Sequence, residues 1–174
     1  ALERLSQGRS AERGAELFRT ANCATCHRLG GMGNAFGPDL SQLDSQVTPR
    51  EILEAIIEPS KTINKDFLTH TYLLESGKAV AGLPLAESEG VLTVIENPLA
   101  GTQPIHLQRA EIEAETTSSV SMMPKGLLDN LHLEDVLDLV ALIVARGDRS
   151  SPLFSHDPAH GQDHHAQGKE GILE

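Results

Sequence analysis

Tryptophan is absent and aromatic residues make up only 3% of the 174 positions, so something other than aromatic bulk has to fill the core. Cysteine is nearly absent too. The only two thiols, Cys23 and Cys26, stand three positions apart, and a disulfide across so small a loop would restrain very little of the unfolded chain. No apolar run approaches the length of a membrane span. The opening stretch, ALERLSQGRSAERG, is polar and helical rather than signal-like, which reads as a soluble mature chain or an excised domain. Positive charge is in short supply: 14 Lys and Arg against 25 Asp and Glu leave a formal net charge of -11. That balance argues against nucleic acid or an anionic membrane as partner and favours a basic protein surface or none.

What is present fits one ordinary domain or a compact domain carrying an insertion. Ala11, Gly14, Ala15 and Phe18 recur at helical spacing between Ser10 and Thr20, predicting a helix that runs into CATCH. GGMGNAFGPDL, with four glycines and a proline, predicts a loop. Thr48, Pro49 and Glu51 read as cap, first helical residue and reciprocal capping partner of a second helix, which carries Ile52, Leu53, Ile56 and Ile57 and ends before Pro59. From Phe67 to about Ser118 the period becomes alternating: FLTHTYLL, AVAGLPL, VLTVI, IHL and EIEAE predict an antiparallel meander or small barrel. Leu133, Val136, Leu137, Val140, Ile143 and Val144 predict an amphipathic helix with Glu134 and Asp135 in its first turn and Gly147 just beyond Arg146. After Ser150 the chain is polar and histidine-rich, a tail that builds no core of its own.

The cluster Cys23, Cys26 and His27 has three chemical readings. Zinc would need a distant fourth ligand, and adjacent Cys26 and His27 are awkward in one tetrahedron. A thioredoxin-like dithiol should follow a strand, whereas this one follows a helix and enters a glycine loop. Covalent haem attachment uses every residue: each thiol adds to a vinyl group as a thioether, and the imidazole reaches iron from the same side. The chain offers supporting parts for that reading. GPDL supplies Gly37 and Pro38, from which a backbone carbonyl could hold the imidazole, SMMP supplies thioethers for a sixth ligand, and a haem among helices accounts for the lack of aromatics.

GAELFRTANCATCH, GPDL, SMMPKGL and a final amphipathic helix, in that order, resemble class I cytochromes c. More narrowly, CATCHRL, FGPDL, ILEAIIEPSKTI, the β-rich interval and SMMPKGLLDNL resemble the planctomycete-type haem-binding (cytochrome c) domain, a module of large secreted proteins, some of them dehydrogenase-like. The resemblance spans about residues 10 to 146. It implies a mainly α cytochrome c fold of three or more helices around one covalently attached haem c, with the β-rich segment inserted before the methionine loop. The expected organisation is 8–66 and 119–149 as the two parts of the cytochrome core, 67–118 as the insertion and 150–174 as the tail. Cys23 and Cys26 would hold the haem, His27 and Met123 would be the axial iron ligands, with Met122 as the alternative, and Pro38 would supply the carbonyl behind His27. Gly14 and Phe18 would join the first and last helices.

The implied activity is single-electron transfer between a redox donor and acceptor, with a basic docking face on the partner, in a periplasmic or otherwise extracytoplasmic compartment; by itself the chain would not be an enzyme. The alternative is a haem peroxidase or gas sensor with an open or weakly ligated sixth position. Met32 reads as a packing residue. His70, His106 and His132 read as surface or capping residues, although any of them could replace methionine as a ligand. His156, His160, His164 and His165 read as a solvated tail that picks up metal adventitiously.

Overall fold

A computed structural model describes residues 2–6, 8–101 and 103–154. The tail histidines lie outside the described residues. After a 3₁₀ turn at Leu2–Ser6 come α1 (Ala11–Thr20), α2 (Cys23–Cys26) and α3 (Pro49–Ile57), then five strands, then α4 (Leu133–Val144). Ser10 caps α1 by accepting from the Arg13 N–H at 3.1 Å. Thr48 and Glu51 form the reciprocal capping box of α3 with Pro49 at its start, as the sequence predicts.

α1 crosses α4 where Gly14 has no side chain: a Cβ there would lie 2.6 Å from the Asp138 carbonyl oxygen and 3.0 Å from Leu142 Cβ. Phe18 is fully buried beside them, so the expected contact between the first and last helices is present. Ion pairs flank the crossing, Arg13 with Asp135 at 2.8 Å and Arg9 with Glu134 at 3.0 Å. The remaining core is aliphatic, dominated by Leu17, Leu29, Leu137, Leu139, Val140 and Leu142, which is how a chain so poor in aromatics closes its interior.

The helical share is modest, and α4, the longest α-helix among the described residues, has twelve residues, so the expectation of a mainly α protein holds only for this helical part. The rest is an antiparallel sheet of β1 (His70–Leu74), β2 (Ala79–Ser88), β3 (Val91–Ile95), β4 (Ile105–Gln108) and β5 (Ile112–Thr117) in the order β4-β3-β2-β1-β5. β2 is the joint. Its residues Ala79 to Gly82 pair with β1, and Leu83 to Ser88 pair with β3 across a register shift at Pro84. Gly82 marks the tight point, since a Cβ there would lie 2.5 Å from Val94 Cγ1. The two halves share one apolar cluster of Tyr72, Val80, Leu92, Val94 and Leu107. Only β1 to β4 form the predicted meander; β5 returns to pair with β1, and since β4 and β5 do not pair among the described residues the sheet is not a closed barrel. It leaves and rejoins the helical part at neighbouring points: the Ser118 N–H donates to the Thr69 carbonyl at 2.8 Å.

Candidate functional site

Asn22 takes a left-handed conformation, φ 63°, and turns the chain out of α1 into the single turn of α2. One turn puts Cys23 and Cys26 on the same side. His27 then leaves the helix in extended conformation while its N–H still donates to the Cys23 carbonyl at 2.9 Å. The glycine loop folds back over it. Gly37 N–H donates to the Cys26 carbonyl at 2.7 Å, and His27 Nδ1 lies 2.9 Å from the Pro38 carbonyl oxygen. A carbonyl only accepts, so Nδ1 carries the proton and Nε2 keeps its lone pair free. Gly37 lies flat against the ring, where a Cβ would be 2.8 Å from Cε1 and 3.0 Å from Nδ1. Gly33 is equally constrained, with φ 82° and a Cβ position only 2.1 Å from the His27 carbonyl oxygen.

Cys23, Cys26 and His27 open onto a cavity of about 310 Å³. Pro38, Met122 and Met123 line the same cavity, so the fold brings together every residue the sequence singles out as a haem contact. Ile52 and Ile56 of α3 form an apolar wall. Ser121 fixes the methionine loop: its N–H donates to Ser60 Oγ at 3.0 Å and its hydroxyl accepts from the Met123 N–H at 3.1 Å. Glu51 is the only Asp, Glu, Lys or Arg among the described lining residues, and its carboxylate is tied back to Thr48. Burial pushes the Cys23 thiol up to about 11 and raises Cys26 as well, the opposite of the lowered value a reactive redox dithiol needs. Burial lowers His27, partly offset by the Pro38 carbonyl, which favours the neutral imidazole that can ligate a metal.

The other candidates stand apart. His70 Nδ1 contacts Glu115 Oε1 at 2.6 Å and its ring stacks on Tyr72, His106 contacts Thr93, and His132 is the N-cap residue of α4; none lines the cavity. Met32 packs on the helical core. Among the described residues no group of three or more His, Cys, Asp or Glu is placed to hold a metal ion, so the zinc reading gains no donor set.

Most of the apolar lining was not tied to the site by sequence reasoning, and two of those residues come from the β-rich segment, Leu83 of β2 and Leu99 of the 3₁₀ turn Pro98–Ala100. That turn packs against α2. No local pattern marks either leucine, because both reach the cavity only through the curl of the sheet.

Residues 11–77 match the family model of cytochrome c. No curated protein matches the chain. The match covers the two thiols, His27 and the Pro38 loop and ends before Leu83, Leu99 and the methionine loop. A cytochrome c domain implies covalently bound haem c and redox partners, and it supports a haem-binding electron-carrier role. The residues present fit that group: two thiols on one side, an imidazole with Nε2 free, thioethers and mainly apolar walls around one cavity. No helix among the described residues is long and apolar enough to cross a membrane.

Proposed function

We propose that the chain is a monohaem c-type cytochrome module that carries single electrons between redox proteins, with the metal held by His27 and Met123. The observation that carries this reading is the convergence of Cys23, Cys26, His27 and the two methionines on one cavity, with Nδ1 of His27 tied to Pro38. When bound, haem c supplies the reversible one-electron chemistry. The chain supplies the rest. Cys23 and Cys26 anchor through thioethers. Pro38 fixes the tautomer and ring plane of His27, leaving Nε2 as the proximal donor. The methionine loop offers a thioether, which favours the reduced state, and the aliphatic walls keep water out. Met123 precedes Pro124 and has its N–H held by Ser121, which favours it over Met122 as the donor.

If His27 and Met123 both held the metal, no place would be left on it for a substrate, and the module would carry electrons without being an enzyme by itself. The resemblance to the planctomycete-type domain, a module of large secreted proteins, supports service in an extracytoplasmic compartment. The acidic surplus steers a basic partner at long range.

The test is a potentiometric titration of the holoprotein followed by exposure of its ferrous form to carbon monoxide. A reversible one-electron transition with little or no carbon monoxide binding at neutral pH is expected. Prompt, complete binding would replace this reading with the open-site alternative, a peroxidase or gas sensor.

A further inference from the structure

The methionine loop hangs from the end of α3 at two points. Ser121 N–H donates to Ser60 Oγ at 3.0 Å and Lys125 Nζ donates to Glu58 Oε2 at 2.7 Å, across 61 and 67 positions of sequence. Cavity residues lie between the tethers on both sides, buried Pro59 on one and Met122, Met123 and Pro124 on the other. The two tethers differ in strength. The Glu58 and Lys125 side chains are 52% and 63% exposed, where water screens an ion pair and leaves it worth little. Ser60 and Ser121 are half-buried, and Ser60 stands two residues beyond the C-cap of a helix whose Ile52 and Ile56 are packed into the core, so its oxygen is a fixed point. From that point the hydrogen bonds run to one residue. The Ser121 hydroxyl accepts from the Met123 N–H at 3.1 Å, so Ser60 holds Ser121 and Ser121 holds Met123, which also packs on the helical core.

We propose that Ser60 is a positioning residue for the sixth ligand: acting through Ser121, it keeps the Met123 thioether on the metal and the neighbouring Met122 thioether off it. The inference rests on the electron-carrier reading above. Both methionines line the cavity, so one loop holds two ligation arrangements of the same chemistry, which a small turn of the backbone would exchange. The thioethers themselves do not choose between the two; the backbone tether does. A loop free to move between them would also leave the metal open to outside molecules for part of the time. Losing one neutral hydrogen bond shifts such an equilibrium by about tenfold.

The test uses the holoprotein, and it reads the far-red sulfur-to-iron band and the rate at which carbon monoxide binds the ferrous form. Ser60→Ala should bind carbon monoxide about tenfold faster than wild type. Ser60→Thr, which keeps the oxygen, should stay near the wild-type rate, and so should Glu58→Gln, because its ion pair is exposed. Thr48→Ala is the control for a merely structural role: it weakens α3 at the other end, leaves the tether intact and should leave the rate unchanged. The choice of ligand is read without Met123. Met123→Ala alone should lack the band, and the double variant Ser60→Ala with Met123→Ala should regain it, as the freed loop lets Met122 reach the metal. A double variant without the band, a wild-type rate in Ser60→Ala, or equal acceleration by Thr48→Ala would overturn the proposal while leaving the carrier reading intact. Should Ser60→Ala fail to hold haem, Ser121→Ala cuts the same chain at its second link and is judged by the same readouts. A wild-type holoprotein that lacks the band and binds carbon monoxide promptly would remove the carrier reading and this inference together.

Discussion

Gly37 shows how a position with no side chain can set the chemistry of its neighbour. Its α-hydrogen faces the His27 ring, and its N–H holds the Cys26 carbonyl. In Gly37→Ala the added methyl has to displace the imidazole or the loop, at a cost of about 1–3 kcal/mol by analogy with overpacked cores. Thermal unfolding of the holoprotein should show that loss, and redox titration should show a shifted potential because the ring is moved from its Pro38 acceptor. Gly31→Ala is the matched control. Gly31 has φ 81° with nothing within 4 Å of its Cβ position, so alanine there should cost about 1–2 kcal/mol of backbone strain. Its potential should stay at the wild-type value. A potential unchanged in both variants would mean that Gly37 does not position the ring.

At the scale of elements, α3 forms the cavity wall, and its start is secured by Thr48 and Glu51. Thr48→Ala removes that cap and should cost about 1 kcal/mol, read by urea unfolding at neutral pH. The backbone N–H and hydroxyl of Thr48 hold the Glu51 carboxyl below the usual carboxylate range. A depressed folded-state value means the cap's electrostatic contribution is present above the unfolded value and is lost as pH falls through the folded one. Wild type should therefore lose more stability than Thr48→Ala on acidification through the carboxylate range, and parallel pH curves would contradict this. This element was legible in the sequence because Thr48, Pro49 and Glu51 act through local hydrogen bonds. The crossing at Gly14 was legible for a related reason, as small and apolar residues at helical spacing mark a buried face whatever lies opposite. Nothing local, by contrast, distinguishes Leu83 from any other leucine in an alternating run. Its place in the cavity depends on the register shift at Pro84 and the close approach at Gly82, which are tertiary facts.

For the whole molecule, the sheet is both a separate apolar cluster and a contributor to the cavity, through Leu83 and Leu99. The alternation showed that strands exist, but not that β2 would divide the sheet into two halves or that β5 would return to pair with β1. Because Thr69 and Ser118 are hydrogen-bonded neighbours, residues 70–117 can be replaced by a short glycine linker without stretching the helical part. The shortened chain should still attach haem, since Cys23, Cys26, His27 and the methionine loop remain. Its reduction potential should fall and carbon monoxide should reach the ferrous form faster, because two cavity walls are lost. Unchanged potential and access would mean that the sheet does not shield the site.

The most direct test of the account is the visible spectrum of ferric and ferrous holoprotein, made with haem-attachment machinery, for wild type, Met122→Ala and Met123→Ala. A weak far-red sulfur-to-iron band that is present in wild type and Met122→Ala and lost in Met123→Ala is the expected result. A wild-type spectrum without that band and with high-spin iron would contradict His27 and Met123 ligation, and with it the closed electron carrier.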